Sequence, residues 1–481
     1  MTDTARAVPK LTPFALVLCA ALLPGCSEDA PEPIDLVINN VTVVDAVNPV
    51  RSNQTVLIDQ GRVVDIVSGN SAAKVTAREQ VDGSGRYLIP GLWDFHVHFT
   101  FDERFTNAMA GLFLYYGVTQ VRDTGALLED LLPVVETLRN AGPRAPSIWY
   151  AGPLLDGKDV VYDGVNFPGL GIANPTPESA RANIAEIHAA GASFLKIYEM
   201  VSPDVFAAIV DEARARNLPI DGHVPLSMRA RDVAPNVQSL EHLRNYEMDC
   251  VSDPETWLAA RQQELANLAN EPGNILRSRL HTLQRLSAIT SEDPEVCAET
   301  TQALKATITV PTLRMNSMDL IVPFERADFD QAMDLIPDSV SQDWRAARAA
   351  LADSVDPVDT TFAEWSLRRT GELHAAGVPI AAGTDTPIGW SIPGYSLHTE
   401  LEQYVRVGMT PLEALYSATA RPASFFGLEN EMGQIKAGFM ANAVLLSANP
   451  VEDIIHTRTI EGVINQGAFL SRTQLDQLVI D

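Results

Sequence analysis

Apolar and polar positions along the chain fall into three regimes. From 34 to 87 the apolar residues come in short blocks, as in DLVINNVTVVDAV and TVLIDQGRVVDIV, separated by Asn, Asp and Gly with no helical period. Such runs predict short β-strands. From 88 to 430 apolar strands alternate with amphipathic stretches. Strands are expected at 89–98, 117–123, 147–153, 192–198, 218–225, 237–243, 307–313 and 378–385, and helices at 106–116, 127–140, 179–190, 203–216 and 362–376. From 431 to 481 short strands return, in NAVLLSA and IEGVINQGAFLS. The expected architecture is α/β: segments 34–87 and 431–481 together form a small β-sandwich, and 88–430 is a unit inserted between them. Strand and helix in alternation predict parallel βαβ units, and eight of them favour a closed (β/α)8 barrel, a TIM barrel, over an open sheet. Two gaps, 244–306 and 314–361, break the rhythm. Both are helical in composition and follow strands at the face where barrels build their sites, so they read as lids, as substrate walls, or as stabilising decoration.

The run LIPGLWDFHVHF, 88–99, is the densest apolar strand, and it ends in His96-Val97-His98. Side chains two apart on a strand point the same way, so the two imidazoles project together. Taken alone, the pair is either a metal site or a coincidence.

Composition changes the picture at the termini first. Arg6 and Lys10 precede an apolar stretch, 11–23, too short to span a bilayer, and Leu-Pro-Gly-Cys follows at 23–26. This resembles the lipobox of a bacterial lipoprotein, which implies a signal peptide over 1–25, lipid on Cys26, a linker at 26–33 and a periplasmic or outer-membrane location. Ordinary secretion with a cleaved leader is the alternative, because Pro24 is unusual inside such a box. Acidic residues outnumber basic ones 62 to 35, for a net charge of −27. That excess excludes nucleic acid as a partner and leaves the membrane reachable only through the lipid anchor. Once Cys19 and Cys26 are set aside, Cys250 and Cys297 remain as an even pair in an oxidising compartment, which reads as a disulfide.

The polar residues at the strand ends then draw attention as a set. Lys196 sits inside the apolar FLKIY, one of six lysines against 29 arginines. A buried ammonium is costly, so this lysine should be neutral, paired or modified. His223 ends the fifth strand in DGHVP, His242 the sixth in SLEHL, and Asp385 the eighth in AAGTDTP. Singly, each reads as a hydrogen-bonded core histidine, a Lys196 pair with Glu199 or Glu241, or a turn aspartate. Jointly they gather six metal-ligand residue types at one end of five strands.

This set resembles the two-metal members of the amidohydrolase superfamily, and PGLWDFHVHF, KIYEMVSPD, GHVP, SLEHL, AAGTDTP and MGQIKAGFMANAVLL are similar to its prolidase-like and imidazolonepropionase-related branch. The resemblance implies that His96, His98 and Asp385 hold one divalent metal and His223 and His242 another. Lys196, carboxylated by carbon dioxide, would bridge the two as a carbamate. Nitrogen and oxygen donors without thiolate favour zinc. The two ions would acidify a shared water to hydroxide, with Asp385 as proton shuttle. One-metal deaminases of the superfamily lack the lysine and carry a glutamate soon after the strand-five histidine. Here His223-Val-Pro-Leu-Ser has no acid, which favours C–N hydrolysis over deamination.

The implied substrate is a small-molecule amide: a dipeptide, an N-acyl or an N-carbamoyl amino acid. A lactone, carbamate or phosphotriester on the same site is one alternative, and a non-catalytic binding relative is another. A homo-oligomer is expected. A substrate carboxylate would need a local cation or donor, for which Tyr198, Arg122 and Arg229 are the candidates, each equally readable as a structural brace. His398 and Glu400 read as a helix-cap network.

Overall fold

The computed structural model describes residues 32–69, 75–165, 167–268, 271–352 and 358–479. The expected leader, Cys26 and most of the linker lie outside these residues. The β-rich N-terminal runs fold as strands Ile34–Val43, Arg51–Asp59, Arg62–Ser68, Ala77–Asp82 and Tyr87–Pro90. They share one eight-stranded sheet with Ala443–Leu446, Ile460–Asn465 and Ala468–Ser471. The hairpin after Asp59 turns on Gln60 and Gly61, both at positive φ (48° and 74°), as a tight two-residue turn requires. The chain's two ends meet where Ala443–Leu446 pairs antiparallel with Tyr87–Pro90.

The described strands of both segments are thus connected by pairing into one sheet. The cause lies in Ile34–Val43, whose one edge pairs with Arg51–Asp59 while the other is divided between Ala77–Asp82 and Tyr87–Pro90. One long strand therefore carries the pairing across from the N-terminal to the C-terminal segments.

The inserted unit is built of parallel strands. Leu92–Val97, Val118–Asp123 and Ser147–Tyr150 form one sheet. Leu195–Ile197, Ile220–Gly222, Ser239–Glu241 and Ile308–Val310 form another, extended by Leu154–Asp156 and Gly171–Ala173. Single hydrogen bonds carry on where the ladders stop. Ser193 N donates to Tyr150 O at 2.8 Å, Thr309 N to Pro379 O at 2.8 Å, and Phe95 N to Ala382 O at 3.0 Å. The expected eighth strand at 378–385 is reduced to isolated bridges at Ile380 and Thr386. Asp385 adopts φ 61°, which breaks strand geometry just where the chain presents its carboxylate.

Helices fall close to their expected places: Glu103–Tyr115, Leu128–Ala141, Pro177–Ala189, Pro203–Arg216 and Thr361–Ala375. Sequence signals explain their ends. Thr176 and Ser179 form a capping box, and Asn217, in the left-handed region at φ 55°, closes Pro203–Arg216. The first long gap contains Pro254–Asn267, Gly273–Thr290 and Pro294–Leu304. Its middle helix starts hard against the 157–160 loop: a Cβ on Gly273 would meet Asp159 O at 2.3 Å, so only glycine allows this approach. Cys250 and Cys297 are joined in a disulfide that ties the start of this insertion to its last helix. Among the described residues, no helix is long and apolar enough to cross a membrane.

Candidate metal centre

Four histidines converge on a cavity of about 330 Å³ at the C-terminal ends of the parallel strands. Three of the imidazoles are hydrogen-bonded through Nδ1, and the fourth has Nδ1 against a carboxylate. His98 Nδ1 donates to Gly125 O at 3.0 Å, His223 Nδ1 to Glu199 at 2.9 Å, and His242 Nδ1 to Thr312 Oγ1 at 2.7 Å. His96 Nδ1 lies 2.6 Å from Glu241 Oε1. Outer partners of this kind set the tautomer and leave Nε2 as the free lone pair. The Nε2 atoms of His96 and His98 lie 3.2 Å apart, with Asp385 Oδ1 at 3.1 and 3.3 Å from them. The ring of His242 lies 4.7 Å from that of His96 and 4.8 Å from that of His223.

Burial sets the charge states. It lowers the pKa of His96, pushes that of His223 down to about 3 and holds His242 well below its usual value, so these three imidazoles are neutral at pH 7. For Asp385 burial opposes ionisation, but the surrounding His96, His242 and His98 rings favour the anion and hold the carboxyl well below its usual range. Lys196 is 1% exposed. Its Nζ donates to Asp221 Oδ2 at 3.0 Å and also contacts Glu241. Desolvation nonetheless lowers its pKa to about 8. The backbone is itself strained around the cavity: His242, Thr312 and Asp385 adopt φ of 61°, 48° and 61°, each costing about 1–3 kcal/mol and characteristic of sites over-determined by their surroundings.

These residues fit a divalent cation. Donor atoms of His96, His242 and Asp385 lie within 4.8 Å of one another, as do those of His223, Glu241 and His242. Neutral imidazoles and an ionised carboxylate are the donor chemistry that zinc and related ions take. The grouping differs from the expected one in two respects. His242 sits between the two sets, and Glu241 enters the second. His98 stands beside the first set through its contacts with His96 and Asp385.

The three expected substrate contacts separate. Tyr198 lines the cavity. Arg122 does not: it is fully buried beneath it, donating to Phe95 O, Ser239, Asp221 and Glu241 and lying 3.6 Å over the Phe95 ring. Its strand parity turns it into the space between the strands, where it neutralises two buried carboxylates. Arg229 is also withdrawn, paired with Asp249 at 2.9 Å and with Glu255. Glu400 caps as expected, but the helix is Leu313–Asn316, whose first N–H groups it accepts at 2.8 and 2.6 Å. His398 bridges Thr457 and Tyr116 O, away from the centre.

Several cavity residues had no signal in the sequence. Arg244 lines the wall, 3.5 Å from Glu199. From the insertion helix Gly273–Thr290, His281 reaches Glu199 at 2.8 Å and Arg277 donates to the Tyr198 hydroxyl at 2.7 Å. Burial works against the charge of Glu199, and His281, His223 and Arg277 overcome it, holding its pKa well below normal.

Comparison with known proteins places this geometry. Residues 366–470 match the Amidohydrolase family. The ochratoxinase of Aspergillus niger is 25% identical over 428 residues, covering 76% of this chain and 71% of the enzyme. Among solved structures, a bottromycin amidohydrolase superposes with a TM-score of 0.68 at 20% identity, covering 92% of this chain and 88% of the other. A putative prolidase from Bifidobacterium longum gives 0.64 at 22%, covering 93% and 99%. The likeness implies a TIM-barrel kind of α/β fold.

Proposed function

We propose that this chain, which matches the Amidohydrolase family over residues 366–470, is a hydrolase that cleaves an amide or peptide C–N bond with the help of two divalent metal ions, zinc by donor type. The observation that carries this reading is the arrangement of the four histidines, each engaged at Nδ1 and presenting Nε2 toward one cavity beside Asp385. In this reading the parallel strands form a closed eightfold barrel, 88–430, beside the β-domain of 34–87 and 431–481. His96, His98 and Asp385 would hold one ion and His223 and His242 the other. Lys196 would add a carbamate ligand, its neutral amine adding to carbon dioxide with formation of an N–C bond and release of one proton.

The ions supply an acidified water and a polarised carbonyl. The remaining work belongs to the chain. Asp385, which contacts both His96 and His98, takes the proton of the attacking water and hands it to the leaving nitrogen. Leu154, Leu170 and Ile388 wall the cavity and keep bulk water out. The substrate class is a dipeptide, N-acyl or N-carbamoyl amino acid. We further propose a periplasmic or outer-membrane protein anchored at Cys26, homo-oligomeric and without a nucleic-acid partner. Assaying the zinc-supplemented protein against dipeptides, N-acyl amino acids, lactones and carbamates tests the reaction. Turnover of amides is expected, and turnover of a lactone with every amide inert would refute the assignment.

A further inference from the structure

The acidic chain has few places where an anion gains by binding, and the cavity wall contains one. Besides Lys196, which faces Asp221 and Glu241, the cationic side chain lining the cavity is Arg244. Its side chain is 17% exposed, and among the described residues its polar partner is Glu199 at 3.5 Å. Glu199 is already engaged at shorter range, by His223 at 2.9 Å and His281 at 2.8 Å. A guanidinium has five N–H donors in a planar fork, so Arg244 retains donors that face the cavity.

The surrounding wall is suited to strengthening such a contact. Leu154, Leu170 and Ile388 make it apolar, and Tyr162 and Tyr198 complete it. Arg277, from the insertion helix, holds the Tyr198 hydroxyl and lies 5.9 and 6.0 Å over the Tyr162 and Tyr198 rings. Two guanidiniums therefore stand against the one carboxylate of Glu199 on this side of the site. Arg122 is consumed by two buried ion pairs, and Arg229 by buried Asp249 and exposed Glu255, so neither can serve.

We infer that Arg244 is the anchor for a free carboxylate on the substrate, so that the bond cleaved belongs to an N-acyl amino acid or a dipeptide and not to a neutral amide. This rests on the amide-hydrolase reading and narrows it. The 244–306 insertion then acts in specificity: its first residue supplies the cation, and its middle helix braces the tyrosine beside it.

The test compares wild type with Arg244→Gln and Arg244→Lys, all zinc-supplemented. Each is assayed on N-acetyl dipeptides and their C-terminal carboxamides, with KM and kcat separated, and titrated calorimetrically with leucine and leucinamide. Wild type should favour the acid of each pair by about 10- to 100-fold, chiefly in KM, as a charge-assisted contact in a dry pocket provides. Arg244→Gln should collapse that ratio, and Arg244→Lys should retain part of it. Loss of metal or of folding would lower both members of a pair alike, so the ratio isolates the contact. An unchanged ratio in Arg244→Gln, or no acid preference in wild type, would overturn the inference while leaving amide hydrolysis standing. Leucine bound over leucinamide through Arg244, with no amide turned over, would instead overturn only the hydrolase reading.

Discussion

If Lys196 must be neutral to add carbon dioxide, reassembly of the metal centre in stripped protein should follow the titration of that one amine. The residue is enclosed, and desolvation, aided by the nearby Arg122 guanidinium, outweighs the attraction of Asp221 and Asp385 to give a pKa of about 8. The sign is fixed: the ammonium form has no lone pair, so raising pH increases the reactive fraction. With that pKa the neutral fraction is about 0.09 at pH 7, about 0.5 at pH 8 and about 0.9 at pH 9. The rate of zinc uptake and activity recovery, at fixed free zinc and fixed dissolved carbon dioxide, should therefore rise about fivefold from pH 7 to 8 and less than twofold from 8 to 9. An unperturbed lysine would give about tenfold over each interval. A rate independent of pH, or one still climbing tenfold per unit at pH 9, would refute the argument. Lys196→Ala should drop metal content toward one equivalent and abolish most activity, with partial rescue by small carboxylates.

Asp385→Asn should lower kcat by about 10²- to 10⁴-fold, the usual worth of a positioned proton-transfer group, and a loss under fivefold would remove it from proton transfer. Metal-free protein should become acid-labile. His223 and His281 have pKa values pushed down to about 3 by burial, so between pH 6.5 and 3 the unfolded chain binds more protons and stability falls as pH falls. The urea midpoint of stripped protein should therefore drop between pH 7 and 5, and a constant or rising midpoint would contradict this. Replacing both Cys250 and Cys297 by serine should destabilise the fold by about 4 kcal/mol in the chain-entropy estimate for a loop of 47 residues, read as a lowered unfolding temperature. An unchanged temperature would show that the crosslink does not restrain this insertion.

Much of the candidate site was legible because its residues sit at strand ends, where a local pattern marks side chains that face one cavity. His96 and His98 share a face by strand parity alone, and Lys196 stood out as a charge inside an apolar run. The helix Pro203–Arg216 was readable to its bounds because Pro203 opens it and Asn217 closes it. What was not legible depended on distant partners. Arg122 looked like a substrate contact until Asp221 and Glu241, from strands far along the chain, were seen to consume its charge. Arg277 and His281 carry no motif, since an insertion of ordinary amphipathic helices reveals its inner face only when docked, and Arg244 lies in an unmarked turn after Ser239–Glu241. The eighth strand was misjudged for a related reason: AAGTD reads as extended, but presenting Asp385 to the histidines bends the chain into the left-handed region. How the N- and C-terminal strands join was not legible, because alternation shows which strands exist, not which edges pair.

We expect this cavity to hydrolyse amides only when loaded with metal. Elemental analysis of the purified protein, together with its activity on N-acyl amino acids and dipeptides before and after chelation and after return of zinc, tests this. Two metal equivalents, loss of hydrolysis on stripping and recovery with zinc are expected. Full activity in metal-free protein, or no metal bound even at excess zinc, would refute it.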